Sequence, residues 1–194
     1  MTGTDISGEM ISVAGEICND NNMHFFICGA ENVPIPENPY DIVTAAGMVQ
    51  WVDVKKFLKC MDKIMCMNGI LLIYDFGITD QKTDDCGYHD WWHNQYLVKF
   101  PRPYRNETVW KQEDVNEYGF QIRKQVTYEM KYEFQLDEFI RFMMIQSNVN
   151  TKIETGRITI EEASQWFYST LQPIFMQEKR TLIFNGYSWY IERG

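Results

Sequence analysis

The stretch from residue 29 to residue 77 constrains the fold of this chain more than any other. Tyr40 to Ala45 is a short apolar run rich in β-forming residues, and Ile70 to Tyr74 is a second apolar run without alternation. Between them, apolar residues recur at the spacing of one helical face from Val54 to Met65, after Asp53 as a candidate cap. Short strand–helix–strand connections are right-handed, so the two strands are predicted to be parallel.

The residues on either side predict further strands and helices. Asn68 and Gly69 predict a left-handed stop for the helix that follows Asp53. Upstream, the pattern predicts a strand ending at Ile6, a helix capped by Ser7 and a buried strand from His24 to Cys28. The predicted helix carries Met10, Ile11, Ala14, Ile17 and Cys18 on one face.

Downstream, the C-terminal third reads as strand, helix, helix and strand. Residues 124–134 alternate as a strand does, and a helix is predicted from Leu136 to about Gln146. Thr159 and Glu162 form a capping box for the next helix, which Pro173 bends or ends. The last strand is predicted over residues 181–193, where Asn185-Gly186 could fold it into a hairpin.

The net charge and the cysteine content limit the classes of protein to which this chain can belong. The 194 residues hold 27 acids and 18 bases, a net charge of −9, which argues against nucleic acid or an anionic membrane as the main partner. No apolar run is long enough for a membrane span. Five cysteines without paired zinc spacing, and no signal peptide, indicate reduced thiols in a cytoplasmic protein.

Several short motifs, in order, resemble a known family. They are Gly3-Thr4-Asp5-Ile6-Ser7, then Ala30-Glu31-x-Val33-Pro34, Tyr40-Asp41-Ile42-Val43, Gln50-Trp51-Val52-Asp53 and Asn68-Gly69-Ile70-Leu71. Together they resemble the class I S-adenosylmethionine-dependent methyltransferases of the type 11 group, densely over residues 1 to about 77. The tail is weakly similar to small-acid methyltransferases related to the trans-aconitate enzyme. The resemblance implies an α/β fold with a Rossmann-like, doubly wound, mostly parallel sheet and an antiparallel C-terminal strand.

The resemblance also implies a site for S-adenosylmethionine as cofactor. In the family, an acid at the end of the second strand binds the ribose hydroxyls, and Asp5, followed by Ile6, occupies that position. A turn or helix-capping role for Asp5 is the alternative. The loop Gly29-Ala30-Glu31 corresponds to the family's adenine-binding loop, although many relatives have a polar residue in place of Gly29. Met10 is placed against the adenosine, or is simply a core residue.

Small residues follow the Tyr40 strand, and the residues after them are candidates for the acceptor side. Thr44, Ala45 and Ala46 would let a ligand approach the backbone at the carboxyl end of a parallel strand. Gln50 and Trp51 correspond to a family position near the transferred methyl group, and packing of Trp51 on the core is equally consistent with the sequence.

Residues 77–125 have little periodicity but many aromatic side chains, as in a cap over a pocket. In the family this region helps to bind the methyl acceptor, which makes His89, Trp92, Arg102 and Arg105 candidate acceptor residues. Either arginine could pair with a substrate carboxylate, or the basic turn is a solvated loop. His89, His93 and Asp84 are candidate bases for a hydroxyl or amine acceptor. Cys86, His89 and His93 lack a fourth ligand and matching spacing, so no metal site is predicted.

One family element is absent from the sequence. Relatives begin with a strand and a glycine-rich turn that wraps the methionine part of the cofactor, and nothing here matches that turn. The fold is therefore predicted to be truncated at its N-terminus, with a gap between the Thr4 and Val43 strands. Three explanations are open: an incomplete sequence of a longer enzyme, a strand supplied by a second chain, or loss of cofactor binding.

The function predicted from all this is methyl transfer to a small molecule, such as a carboxylic acid, within one domain spanning residues 1–194. That domain would comprise a cofactor-binding half to residue 77, an acceptor-side cap to residue 125 and C-terminal strands and helices. The alternative is an inactive pseudo-methyltransferase that binds a protein through exposed Trp91 and Trp92, with homo-oligomerisation open. A nicotinamide dehydrogenase fits less well, because no nucleophile–base pair and no second dinucleotide half is found.

Overall fold

The computed structural model describes residues 1–18, 20–83, 87–104, 109–176 and 178–194. Those residues form two compact units. The first comprises Met1–Asp75, Asn106–Val126 and Tyr187–Gly194, and the second comprises Phe76–Arg105 and Thr127–Gly186. The prediction of a single domain over the whole chain stays a prediction.

Six strands, eight α-helices, two 3-10 turns and one π-helix make up the described residues. The strands are β1 Thr2–Asp5, β2 His24–Ile27, β3 Tyr40–Ala46, β4 Met65–Lys82, β5 Phe120–Phe134 and β6 Arg180–Arg193. The α-helices are α1 Gly8–Ile17, α2 Val54–Ile64, α3 Tyr88–Trp91, α4 Leu97–Lys99, α5 Gln112–Asn116, α6 Leu136–Met144, α7 Ser147–Glu154 and α8 Ile160–Phe175. The 3-10 turns are Ala30–Asn32 and Val49–Trp51, and the π-helix is Trp92–Tyr96. None of these described helices is long and apolar enough to cross a membrane.

The strands form two sheets, a parallel pair and a four-stranded mixed sheet. β1 and β2 pair in parallel, with Thr2 opposite His24 and Asp5 opposite Ile27. The second sheet has the order β3-β4-β6-β5, and β3 and β4 are parallel. β6 runs against β4, because the Thr83 amide donates to Thr181 and the Thr79 hydroxyl donates to Ile183. The predicted α/β class, with a mostly parallel N-terminal half and an antiparallel last strand, is confirmed.

The sequence predicts a gap between the Thr4 and Val43 strands, and the truncation behind it stays a prediction. β1 and β3 belong to different sheets, and between them the Thr2 and Tyr40 hydroxyls share a hydrogen bond of 2.5 Å. Helix α1 packs on the β1–β2 pair but buries none of its side chains. Ile17, which belongs to its predicted apolar face, is 77% exposed, because a two-stranded sheet offers little surface for a helix to cover.

Helix α2 has the largest buried apolar face among the described helices of the first unit. Its apolar face buries Phe57, Leu58, Met61 and Ile64, as the spacing predicts. These side chains pack in a core that also contains residues of β3, β4, β6 and the 109–126 segment: Ala45, Val49, Met65, Leu71, Ile73, Trp110, Val115, Phe120, Trp189 and Ile191. The helix therefore fixes the β3–β4 pair on one side.

Two local predictions fail because strand pairing overrides a turn signal. Helix α2 ends at Ile64, and Asn68, with φ of 62°, lies inside β4 rather than in a helix stop. Tyr40 pairs with Met65 but Ile42 pairs with Ile70, so the extra residues of β4 form a bulge there. Asn185-Gly186 makes no hairpin, since β6 continues unbroken through both residues. Helix α8 passes through Pro173 and ends two residues later.

The second unit is held together by aromatic side chains. Trp91 and Trp92 are 1% and 3% exposed, so the predicted exposed contact surface at these residues is wrong. The Trp91 ring stacks on Tyr96 at 5.4 Å between centroids and also contacts the Phe167 ring of α8. A dense aromatic run in sequence is here a helix packed into a core, not a surface cap.

Asp53 makes the stability of α2 dependent on pH. The backbone N–H of Lys56 donates to the Asp53 carboxylate at 3.1 Å, and this hydrogen bond lowers the pKa of that carboxyl. Because the pKa of this carboxyl is lower in the folded than in the unfolded state, its ionised form stabilises the folded state at pH values above the ordinary carboxyl pKa. That stabilisation is lost as the pH falls through the folded-state pKa. We expect Asp53→Asn to lose more denaturant resistance at about pH 6 than at about pH 3. An equal loss at both pH values would contradict this, and Glu37→Gln, an exposed acid, is the control.

Candidate functional site

Asp5 lies at the carboxyl end of β1, immediately before α1. One carboxylate oxygen accepts a hydrogen bond of 2.8 Å from the Ser7 amide, and the Ser7 hydroxyl in turn caps α1 at the Met10 amide. The second oxygen of Asp5 accepts nothing from the described residues, and the side chain is exposed. The turn role weighed for Asp5 is thus present, and it leaves one oxygen available to a ligand.

Two apolar side chains next to Asp5 are also open to solvent. Ile6 is 80% exposed and Met10 is 60% exposed. Met10 is therefore not a core residue, which was the alternative interpretation of its position. An exposed carboxylate flanked by exposed apolar groups has the chemistry that a sugar–base ligand requires.

The loop after β2 approaches the same end of β1. The Cys28 amide donates to the Asp5 carbonyl at 2.9 Å, and the 3-10 turn Ala30–Asn32 follows. A Cβ at Gly29 would lie 3.0 Å from Glu31 Oε2 and 3.9 Å from Ile6 Cγ2. The loop therefore accepts no larger residue at Gly29 unless the Glu31 side chain moves.

Glu31 is held by the start of the next helix. Its Oε1 accepts a hydrogen bond of 3.1 Å from the amide of Asp53. Ala30 packs against the same core that contains Ala45 of β3. The β2 loop and the end of β3 are thus tied to one another within the first unit.

The end of β3 carries small residues, as predicted. Thr44 and Ala46 are exposed, whereas Ala45 is 7% exposed and packs inward. Gly47 follows with φ of +59°, a left-handed conformation that favours glycine. Its amide donates to the Tyr74 carbonyl at 2.9 Å, so the chain turns where β3 ends and its pairing with β4 stops.

Asp75 is a residue that the sequence interpretation missed at this edge. Its Oδ2 accepts a hydrogen bond of 3.2 Å from Gln50 Nε2, and its Oδ1 lies 3.3 Å from where a Cβ of Gly47 would be. The available signal was an acid directly after the apolar run that ends at Tyr74, where the pairing of β4 with β3 also ends. Trp51, also near this turn, is 53% exposed and is not a core residue.

The remaining predicted residues belong to the second unit or fall outside the described residues. Trp92 is buried, and Arg102 is exposed with its guanidinium 5.4 Å from the Trp92 ring centroid. His89 and His93 are both exposed and both contact Asp80. Asp84, Cys86 and Arg105 lie outside the described residues.

A cavity of about 390 Å³ lies in the second unit. Polar side chains from the α3 region and α8 line it beside three apolar ones: Asp90, Asn94, Gln95, Ser169 and Thr170 with Trp91, Pro173 and Ile174. Its size suits a small organic molecule. Of the predicted acceptor residues that the structure describes, none lines it.

Comparison with known proteins agrees with the resemblance. Residues 1–73 match the family model described as a methyltransferase domain. The ubiquinone/menaquinone biosynthesis C-methyltransferase of Vibrio campbellii is 30% identical over 77 residues, which are 37% of this chain and 30% of that protein. The enzyme of the same name from Vibrio parahaemolyticus gives the same figures. The chain thus spans less than a third of the length of these curated relatives.

Solved structures match over nearly the whole chain. A protein of Anaeromyxobacter dehalogenans, provisionally described as a type II methyltransferase, superposes with a TM-score of 0.67 at 13% identity, covering 99% of this chain and 79% of that one. The chain has the class I methyltransferase fold. The YcgJ protein of Bacillus subtilis superposes with a TM-score of 0.53 at 17% identity, covering 100% of this chain and 82% of that one. The resemblance inferred from the sequence is therefore confirmed.

The methyltransferase fold by itself does not determine the reaction. The [4+2]-cyclase SpnF superposes with a TM-score of 0.51 at 13% identity, covering 99% of this chain and 65% of that one. A structure described as a cyclase therefore shares this fold, and function has to be argued from the residues at the strand ends.

Proposed function

We propose that this chain transfers a methyl group from S-adenosylmethionine to a small-molecule acceptor. The observation that carries the proposal is the position of Asp5. Its exposed carboxylate lies at the end of the parallel strand β1, beside the loop that contains Gly29. Both belong to the segment that matches the methyltransferase domain. A carboxylate with an available oxygen accepts hydrogen bonds from both hydroxyls of a ribose.

The residues of the first unit fit the adenosyl part of this cofactor. Asp5 would hold the ribose, and the exposed side chains of Ile6 and Met10 would contact the sugar or the base. Gly29 keeps the following loop free of a side chain, so the backbone of Ala30 can approach an adenine edge. Thr44, Ala45 and Ala46 would leave room at the end of β3.

Methyl transfer from a sulfonium is an in-line displacement, so the protein acts chiefly by proximity and orientation. The cofactor supplies the electrophilic methyl group when it is bound. If the acceptor is a carboxylic acid, it is already ionised at neutral pH and needs no base. Gln50, Trp51, His89, Trp92 and Arg102 remain proposed acceptor residues, and Arg105 is proposed from sequence alone.

The test of this proposal is a methyl-transfer assay with the full chain. Release of S-adenosylhomocysteine is measured against panels of small carboxylic acids, alcohols and amines. Turnover with a member of one panel supports the proposal. No turnover with any panel, together with no binding of the cofactor, would favour the alternative of an inactive, cofactor-free interaction module. That alternative now lacks its proposed contact surface, because Trp91 and Trp92 are buried.

For a carboxylate acceptor, we expect Arg102→Ala to raise KM about tenfold or more while kcat changes little. The exposed Arg102 guanidinium can form a charge-assisted, bidentate pair with a carboxylate, and its loss weakens binding in the ground state. Steady-state kinetics measure both constants. Arg157→Ala removes another exposed arginine of the second unit and is the control. An unchanged KM in the Arg102 variant would contradict a role for this residue in acceptor binding.

A further inference from the structure

Asp80, His89 and His93 form a compact cluster in the second unit. Asp80 lies near the end of β4, His89 in α3 and His93 in the π-helix that follows. Asp80 Oδ2 is 2.9 Å from His89 Nδ1 and 2.9 Å from His93 Nε2. One nitrogen or oxygen ligand atom of each residue lies within 4.8 Å of the other two.

Both imidazoles converge on the same carboxylate oxygen of Asp80. The centroids of the His89 and His93 rings are 4.6 Å apart, so both rings lie close together beside the Asp80 carboxylate. Two neutral imidazoles and a carboxylate are a common ligand set for divalent transition metals. At metal–ligand bonds of about 2.0 Å, tetrahedral ligands lie about 3.3 Å apart, so only small movements are needed here.

The scaffold behind the cluster is rigid. Tyr88, which precedes His89, is fully buried, and its hydroxyl donates at 3.2 Å to the carbonyl of Thr79, which precedes Asp80. A hydrogen bond therefore joins β4 and α3 at the residues next to Asp80 and His89. Trp91 and Trp92 anchor the same helical segment in the aromatic core. Preorganised supports of this kind orient metal ligands.

The helical segment itself departs from regular geometry at the cluster. Residues 92–96 form a π-helix, in which hydrogen bonds span five residues instead of four. Single π-helical turns are rare and occur frequently at functional sites.

We propose that Asp80, His89 and His93 bind one divalent transition-metal ion, with zinc as the representative. Imidazole ligands favour zinc and its neighbours over magnesium and calcium, which prefer oxygen. The His89 and His93 side chains are 56% and 47% exposed, so the remaining coordination positions face solvent and would hold water or a ligand. The proposal does not depend on methyl transfer, because it is argued from these three side chains alone, although His89 is also a proposed acceptor residue.

Titration calorimetry of the tag-free full chain with zinc chloride tests this directly. We expect one ion per chain, and about tenfold or greater loss of affinity in His89→Gln, His93→Gln and Asp80→Asn. The chain has three histidines, so His24→Gln, in β2, is a matched control whose affinity should not change. No binding by the wild type, or equal binding by the His89→Gln/His93→Gln double variant, would overturn the proposal.

Two further measurements address misfolding and Cys86, which precedes both histidines in the sequence and lies outside the described residues. Zinc should shift the ring resonances of His89 and His93 in the wild-type protein but not those of His24, a result that needs no variant. A shift of all three, or of none, would overturn the assignment. Cys86→Ser should retain zinc binding. If it loses that binding, the ligand set is Cys86, His89 and His93, and the assignment of Asp80 is wrong.

Discussion

Replacing Asp5 by alanine is expected to weaken binding of S-adenosylhomocysteine by about ten- to a hundredfold. A hydrogen bond to a charged group contributes about 1.5–3 kcal/mol, and the proposed ribose contact depends on this one exposed carboxylate. The measurement is calorimetric titration of the variant and the wild type with S-adenosylhomocysteine, beside circular dichroism to check that both are folded.

Asp20→Ala is the matched control for this substitution. Asp20 also accepts a hydrogen bond of 2.8 Å from the amide two residues later, that of Asn22, so both variants lose the same kind of turn. Asp20 precedes β2, however, and thus lies away from the strand ends at which the cofactor is proposed to bind. Equal affinities of the Asp5 and Asp20 variants would show that Asp5 acts only as a turn residue.

Replacing Trp91 by alanine is expected to lower the free energy of unfolding by about 3–5 kcal/mol. The side chain is 1% exposed and contacts the rings of Tyr88, Tyr96, Trp166 and Phe167, so truncation leaves a large cavity in the second unit. Chemical denaturation followed by circular dichroism measures the loss.

Trp51→Ala is the control for the Trp91 variant, since its ring is 53% exposed and its removal should cost much less. Similar losses for the two tryptophans would contradict the burial of Trp91. A small loss for Trp91→Ala alone would revive the hypothesis that this residue is a surface contact for a protein partner.

The first 75 residues were largely predictable because their signals are local. Hydrophobic periodicity gives α2 and its buried face, and the Asp53 cap is found as predicted, with its carboxylate accepting the Lys56 amide. β1, β2 and β3 likewise coincide with the predicted runs to within two residues at each end. β1 and β3 lie in different sheets, and the truncation predicted from the missing family motif stays a prediction.

The rest depended on contacts that a sequence does not display. Asn68-Gly69 and Asn185-Gly186 are strong turn signals, yet both pairs lie within long strands whose pairing outweighs local preference. The burial of Trp91 required knowledge of α8, some 75 residues away. Asp80 could not be linked to His89 and His93 from spacing, because it lies on a different element. Hydrophobic periodicity predicts which residues are buried but not which other residues they contact.

Calorimetric titration of the wild-type chain with S-adenosylmethionine tests the central claim most directly. Asp5, the Gly29 loop and the end of β3 are proposed to form an adenosyl site within one unit of this chain. Saturable binding of one cofactor per chain, with a rise in thermal unfolding temperature, is the predicted result. No heat and no thermal shift up to millimolar cofactor, in protein shown to be folded, would contradict it.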